Sequence, residues 1–156
     1  MAVLKAELKA YDVMTPEPVC VDPSTSIRSL ARVFEDNEIS GAPVVDAEGR
    51  VIGVVSKTDL IRRCSEGSAD APPAYLFEVL CEQESVDGAG ELPPEAVFCV
   101  EDFMSEDPLM VSPEMSAASI ARELHERRLH RVIVVDSDQR PVGVVTSLDL
   151  LGHFSR

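Results

Sequence analysis

The sequence predicts an α+β protein made of two copies of one β-α-β-β-α unit. Three observations predict it. The chain repeats itself at an offset of 90 residues, the period of its apolar positions changes in the same order within each copy, and its 45% apolar content includes only 4% aromatics and no Trp. The core is therefore aliphatic. Residues 12–60 align on residues 102–150 without a gap, with 18 identities in 49 positions, and self-similarity at a fixed period marks a duplicated structural unit.

Each copy opens on a short extended piece bounded by prolines, residues 19–21 and 109–111. A helix follows over residues 26–37 and 116–128. Ile27, Leu30, Ala31 and Phe34 in the first, and Ala117, Ile120, Ala121 and Leu124 in the second, recur at the spacing of one helical face. Two β-rich runs come next, residues 42–46 and 51–55, joined by the turn Ala47-Glu48-Gly49-Arg50. Their partners are residues 132–136 and 142–145, joined by Ser137-Asp138-Gln139-Arg140. A last helix begins at Ser56 or Thr146. A unit of roughly 50 residues cannot shed enough surface alone, so the two sheets are expected to pack face to face with pseudo-twofold symmetry.

The division along the chain follows: residues 1–64 hold the first repeat with its N-terminal segment, 65–100 an insertion, and 101–156 the second repeat. The insertion is rich in Pro, Gly, Ser and acids. Within it, residues 74–84 place Leu76, Phe77, Leu80 and Cys81 on one helical face. Two readings remain open for it, a helix patching the core or an acidic arm for a partner.

Charge is unevenly placed. The chain carries 28 Asp and Glu against 14 Lys and Arg, a formal net charge of -14. No Lys or Arg occurs from Cys64 to Ala121, a window that holds 13 acids. Such acidity argues against a nucleic-acid binder that works by neutralising phosphates. The longest apolar runs fall far short of the roughly 20 residues of a membrane span. Residues 1–10 carry Lys5, Glu7 and Lys9 and do not read as a signal peptide. Cys20, Cys64, Cys81 and Cys99 show no metal-binding spacing, alone or with His125, His130 and His153. A cytoplasmic protein with reduced thiols and no metal is the expectation.

The most informative motif closes each copy: Gly53-Val54-Val55-Ser56-Lys57-Thr58-Asp59, echoed by Gly143-Val144-Val145-Thr146-Ser147-Leu148-Asp149. A hydroxyl residue stands at a strand-to-helix junction with a carboxylate three residues on. That pattern is a helix capping box. The same geometry suits an anion, because a helix start offers free N–H groups and a positive dipole end. The hydroxyl could bond a phosphate and the Asp a ribose diol. Gly53 and Gly143 would let the strand approach a neighbour closely. Both readings stay open.

Taken with the Asp12-Val13-Met14-Thr15 opening and the strand Gly41-Ala42-Pro43-Val44-Val45-Asp46, these motifs resemble a tandem CBS domain pair, the Bateman module, over residues 11–151. The resemblance implies clefts between the copies that bind an adenosine-containing ligand, AMP, ADP or ATP, with S-adenosylmethionine and NAD in the same class. It implies regulation of a partner or of self-assembly, and a homodimer formed through helices, for which the apolar faces near Leu60-Ile61 and Leu150-Leu151 are suited. Carried over residue by residue, one pocket would use Ser56 for phosphate and Asp59 for ribose, with Thr15, Val19, Gly41, Ala42 and Pro43 beside the base. The other would use Thr146 and Asp149, with Ser105, Leu109, Arg131, Val132 and Ile133. His130 and Arg131 occupy positions where related modules place phosphate-reaching cations. Arg131 also reads as a plain surface residue beside Arg127 and Arg128, and Lys57 as a solvated helix-start lysine. The second copy departs from the first where Pro43 becomes Ile133, which restores an N–H.

Catalysis finds no support. Asp59 and Asp149 belong to symmetry-related sites, and no histidine is repeated. No obligatory cofactor is implied. The alternative to a ligand sensor is an interaction module whose pockets are vestigial.

Overall fold

The computed structural model describes residues 7–66 and 99–155. The sequence-predicted helix over residues 74–84 lies outside them. The described elements are α1 (Ala10–Val13), β1 (Thr15–Pro16), α2 (Ile27–Asp36), β2 (Gly41–Val45), β3 (Val51–Ser56), α3 (Lys57–Glu66), a 3-10 turn (Val100–Asp102), β4 (Met110–Val111), α4 (Ala117–Arg127), β5 (Arg131–Val135), β6 (Pro141–Thr146) and α5 (Ser147–Phe154). The repeated helix, hairpin and second helix stand where the periodicity places them. The opening α1 and β1 have no counterpart in the sequence reading, because four- and two-residue elements leave no period to detect.

The compact units do not follow chain order. One comprises residues 1–19, 45–52 and 107–156, the other 20–44 and 53–106. The start of the chain thus completes the second repeat, and the start of the second repeat completes the first.

In the first of these units a four-stranded sheet runs β1-β6-β5-β4. β1 lies antiparallel to β6 with Thr15 opposite Val144, β5 antiparallel to β6, and β4 parallel to β5. Side chains alternate across a strand. Val111, Val132, Val134 and Val145 point to one face and pack with Ile120 and Leu124 of α4, Leu150 of α5, and Ala10 and Val13 of α1. All nine are at most 4% exposed. α1 is held by Ala10 N–H to Met115 O at 2.8 Å and by Ala117 N–H to Leu8 O at 2.6 Å. Ser116 caps α4, accepting from Ser119 N–H at 3.1 Å.

In the other unit β2 and β3 form a two-stranded sheet. Val21 joins alongside β2 opposite Val44, and Ser105 joins alongside β3 opposite Val54. Ser26 caps α2 through Ser29 N–H at 3.2 Å, and Leu30 and Phe34 of α2 are fully buried. Val100 N–H reaches Thr25 O at 2.9 Å, which secures the 3-10 turn against the first repeat.

Candidate functional site

At the start of α3 the Ser56 N–H and Oγ–H both donate to Asp59 Oδ2, at 2.9 and 3.0 Å, and Asp59 N–H donates to Ser56 Oγ at 3.2 Å. At the start of α5 the Thr146 N–H donates to Asp149 Oδ2 at 2.8 Å and Asp149 N–H to Thr146 Oγ1 at 3.1 Å. Both motifs are complete capping boxes. The residue just before β2 or β5 takes one more amide in each copy: Lys57 N–H bonds Ser40 O and Ser147 N–H bonds His130 O, both at 2.9 Å. A helix start has four amides without intrahelical partners. Three of the four, counting the cap, are therefore occupied, and the amides of Thr58 and Leu148 remain. The expectation of a helix start rich in free N–H groups is corrected: each offers one.

What remains for a ligand is one helix amide and the second carboxylate oxygen in each copy, with the Thr146 hydroxyl proton in the second, since the Ser56 proton is donated to Asp59. Asp59 Oδ1 faces Arg62 Nη1 at 3.9 Å. Asp59, Arg62, Arg63, Asp102 and Phe103 line a cavity of about 230 Å³, below the roughly 300 Å³ at which small-molecule pockets begin. Asp149 is half-buried, and its Oδ1 carries no ion pair among the described residues.

Thr15 and Ser105 change places relative to the sequence grouping. Thr15 lies opposite Val144, two residues before Thr146. Ser105 lies opposite Val54, two residues before Ser56, through Ser105 N–H to Val54 O at 2.9 Å and Val54 N–H to Ser105 O at 3.0 Å. The cause is the exchange of opening segments, which a division in chain order cannot show.

In the four-stranded sheet, opposite residues share a face. Arg131 is opposite Thr146, Ile133 is opposite Val144, and Val144 is opposite Thr15. Thr15, Val144, Ile133, Thr146 and Arg131 therefore lie on one face, the one turned away from the α4 and α5 core. Val132 lies on the core face instead and is 1% exposed. The N–H that Ile133 restores is bonded to Leu109 O at 3.0 Å, so it leaves no orphan donor. His130 is exposed and serves α5 through its carbonyl.

The first copy lacks the cation, having Gly41 where the second has Arg131. Ala42 and Pro43 are buried in β2, with Pro43 O accepting from Val21 N–H at 3.0 Å. Val19 falls in the other compact unit from Ser56 and Asp59. Lys57 is exposed. Sequence reasoning missed Met14 and Met104, which lie against Gly143 and Gly53. The signal was present in the repeated Asp-x-Met, read only as a family feature.

The model of the CBS domain matches residues 10–66 and 100–156. The chain belongs to the CBS domain family. It is similar to the protein MJ1426 of Methanocaldococcus jannaschii, with 26% identity over 158 residues, 95% of this chain and 92% of that one. It is 30% identical over 128 residues to the chloroplastic CBS domain-containing protein CBSX1 of Arabidopsis thaliana, spanning about half (54%) of that protein's length. Among solved structures, CBSX2 in complex with AMP superposes with a TM-score of 0.69 at 25% identity, over 96% of this chain and 99% of that one. The CBS domain pair of MJ0100, in complex with 5′-methylthioadenosine and S-adenosyl-L-methionine, gives 0.73 at 18% identity, over 96% and 97%, and that likeness bears on the fold. The chain is thus a mixed α+β protein carrying two CBS repeats. Among the described residues no helix is long and apolar enough to cross a membrane.

Proposed function

We propose that this CBS pair is a regulatory, non-catalytic module that binds an adenosine-containing ligand, with AMP, ADP or ATP as the leading class, and so controls a partner protein or its own assembly. The observation that carries the reading is the shared sheet face of Thr15, Thr146 and Arg131. It sets two hydroxyls and a guanidinium beside the Asp149 cap, with Ile133 and Val144 as apolar neighbours. Arginine suits phosphate because its planar fork donates in pairs. The likeness to CBSX2, whose structure holds AMP, supports the same ligand class. The second-copy set is the stronger of the two, since Gly41 replaces the cation in the first.

Calorimetric titration with AMP, ADP, ATP, NAD and S-adenosylmethionine tests the reading. Binding tighter than about 100 μM is expected, within the range where 1.4 kcal/mol is a factor of ten. Arg131→Ala and Asp149→Ala should each weaken it about tenfold, as loss of a charged hydrogen bond does. No binding of any of the five would overturn it.

One observation favours a second reading. Both carboxylates are already engaged as caps, which is what an interaction module with vestigial pockets requires. In either case we propose a cytoplasmic homodimer joined through α5, where Leu148, Leu151 and Phe154 are 76, 62 and 61% exposed.

A further inference from the structure

The two copies turn toward α2 and α4 on the same backbone but with different chemistry. In the first, Asp22 opens the turn: Thr25 N–H bonds Asp22 O at 3.0 Å, and Ser24 N–H bonds Asp22 Oδ1 at 2.8 Å. In the second, Ser112 holds that place: Met115 N–H bonds Ser112 O and Glu114 N–H bonds Ser112 Oγ, both at 3.1 Å. A proline follows each, and the pattern of exposed and buried residues over 21–27 repeats over 111–117. The neighbouring segments dock alike, with Glu101 N–H on Pro23 O at 3.0 Å and Tyr11 N–H on Pro113 O at 3.2 Å. One backbone thus carries a fixed negative charge in the first copy and a neutral hydroxyl in the second.

Ser112 is exposed and lies past the end of β4, outside the sheet ladder. With Pro113 it makes one of only two hydroxyl–proline steps in the sequence. The other, Thr15-Pro16, is held within the ladder opposite Val144 and Gly143. A cation also stands beside the Ser112 turn. No Lys or Arg occurs from Cys64 to Ala121, yet the fold brings in Lys9, whose Nζ donates to Glu114 Oε2 at 2.7 Å. Lys9 lies opposite Ser116, where the first copy sets Cys99 opposite Ser26. A phosphoryl group brings a charge of about -2 and three strong acceptor oxygens. On Ser112 it would accept from the Glu114 amide, as Asp22 accepts from that of Ser24, with Lys9 offsetting the Glu114 carboxylate. We propose that Ser112 is a phosphoacceptor for a Ser/Thr protein kinase that requires a following proline, the phosphate filling the anion position that Asp22 fills in the first copy. In that step Ser112 Oγ bonds the γ-phosphorus of the kinase's ATP, ADP leaves, and the hydroxyl proton passes to the kinase's base. The proposal goes beyond the nucleotide reading and uses none of Thr15, Thr146 and Arg131.

The full chain, incubated with ATP and a proline-directed protein kinase, tests it by phosphopeptide mapping and amide NMR. Modification of Ser112 is expected, with Ser112→Ala left unmodified at this turn. Pro113→Ala keeps the carbonyl that Tyr11 uses and should slow the modification at least about tenfold. On phosphorylation the Glu114 amide proton should move downfield, as an amide does when its acceptor becomes charged. Ser112→Asp copies the first copy, where the same backbone already carries the carboxylate. It should fold with an unchanged melting temperature and move the Glu114 amide in the same direction, which frees that part of the test from the choice of kinase. The proposal is overturned if Ser112 stays unmodified, if Thr15 is modified in preference to it, or if the Glu114 amide stays in place in both the phosphorylated chain and Ser112→Asp.

Discussion

Met14 lies against the bare α-carbon of Gly143, so closely that a Cβ there would fall on its Sδ. Met104 stands in the same relation to Gly53, where the added carbon would come within 2.8 Å of both Met104 Sδ and Ser105 O. The methionine of one repeat's opening thus fits the glycine of the other repeat's closing strand. Overfilling a packed site costs about 1–3 kcal/mol, and both glycine-to-alanine variants should lower the melting temperature. Met14→Ala should largely rescue Gly143→Ala, because the obstruction is all side chain. Met104→Ala should rescue Gly53→Ala only in part, since the Ser105 carbonyl remains. A double-mutant cycle by urea unfolding reads the difference, and equal rescue would contradict the geometry.

Thr146→Ala and Ser56→Ala remove the hydroxyl that accepts from the third helical amide. Each should destabilise the ligand-free chain by about 1 kcal/mol, the usual worth of an N-cap. Chemical denaturation without nucleotide measures this part alone. Any further loss seen only with AMP present belongs to binding.

Leu148 and Leu151 contribute nothing to the core, so Leu148→Glu with Leu151→Glu should leave the stability of the protomer within about 0.5 kcal/mol. Light scattering should show wild type at twice the 16.9 kDa chain mass and the variant at the chain mass. A wild type at the chain mass would refute the proposed dimer.

The Asp22 carboxyl sits below its ordinary range, chiefly through the Ser24 hydroxyl at 2.6 Å and also through the Ser24 amide at 2.8 Å. A folded-state pKa below the unfolded one stabilises at neutral pH, and that contribution disappears as pH falls through the folded value. Ser24→Ala should therefore lower the urea midpoint at pH 7, and the gap to wild type should close on acidification below the ordinary aspartate range. A gap independent of pH would assign the effect to the turn instead.

Burial pushes the Cys20 thiol up, and burial with the neighbouring Asp102 and Glu101 charges does the same to Cys99. The thiolate is the reactive form, so both should alkylate more slowly than unfolded controls at pH 8, followed residue by residue by mass spectrometry. Modification at the unfolded rate would contradict the environment found here.

The duplicated helix, hairpin and helix were legible because Ile27, Leu30 and Phe34, or Val132, Val134 and Val145, carry periods that sequence displays. The capping boxes were legible too, since Ser56 and Asp59 are three residues apart and need only local geometry. The exchange of Thr15 and Ser105 between the sites was not. Pairing Thr15 with Val144 depends on a partner 129 residues away, and no local pattern encodes which of two like strands an edge residue joins. The loss of free amides at the helix starts was hidden for a related reason, because Ser40 O and His130 O are loop carbonyls whose direction only the folded backbone sets.

The exchanged opening segment has a consequence in time. Ala10 and Val13 are buried against residues as far along the chain as Val145 and Leu150. A ribosome adding about 5–20 residues per second leaves those two apolar side chains without their partners for on the order of 10 s after they are made. During that interval the first repeat also lacks Val100 and Met104. Synthesis therefore completes the unit of residues 20–44 and 53–106 first, and the unit that holds Ala10 and Val13, the first to be begun, is the last to close, which makes the newborn chain, more than the mature one, the species that needs protection.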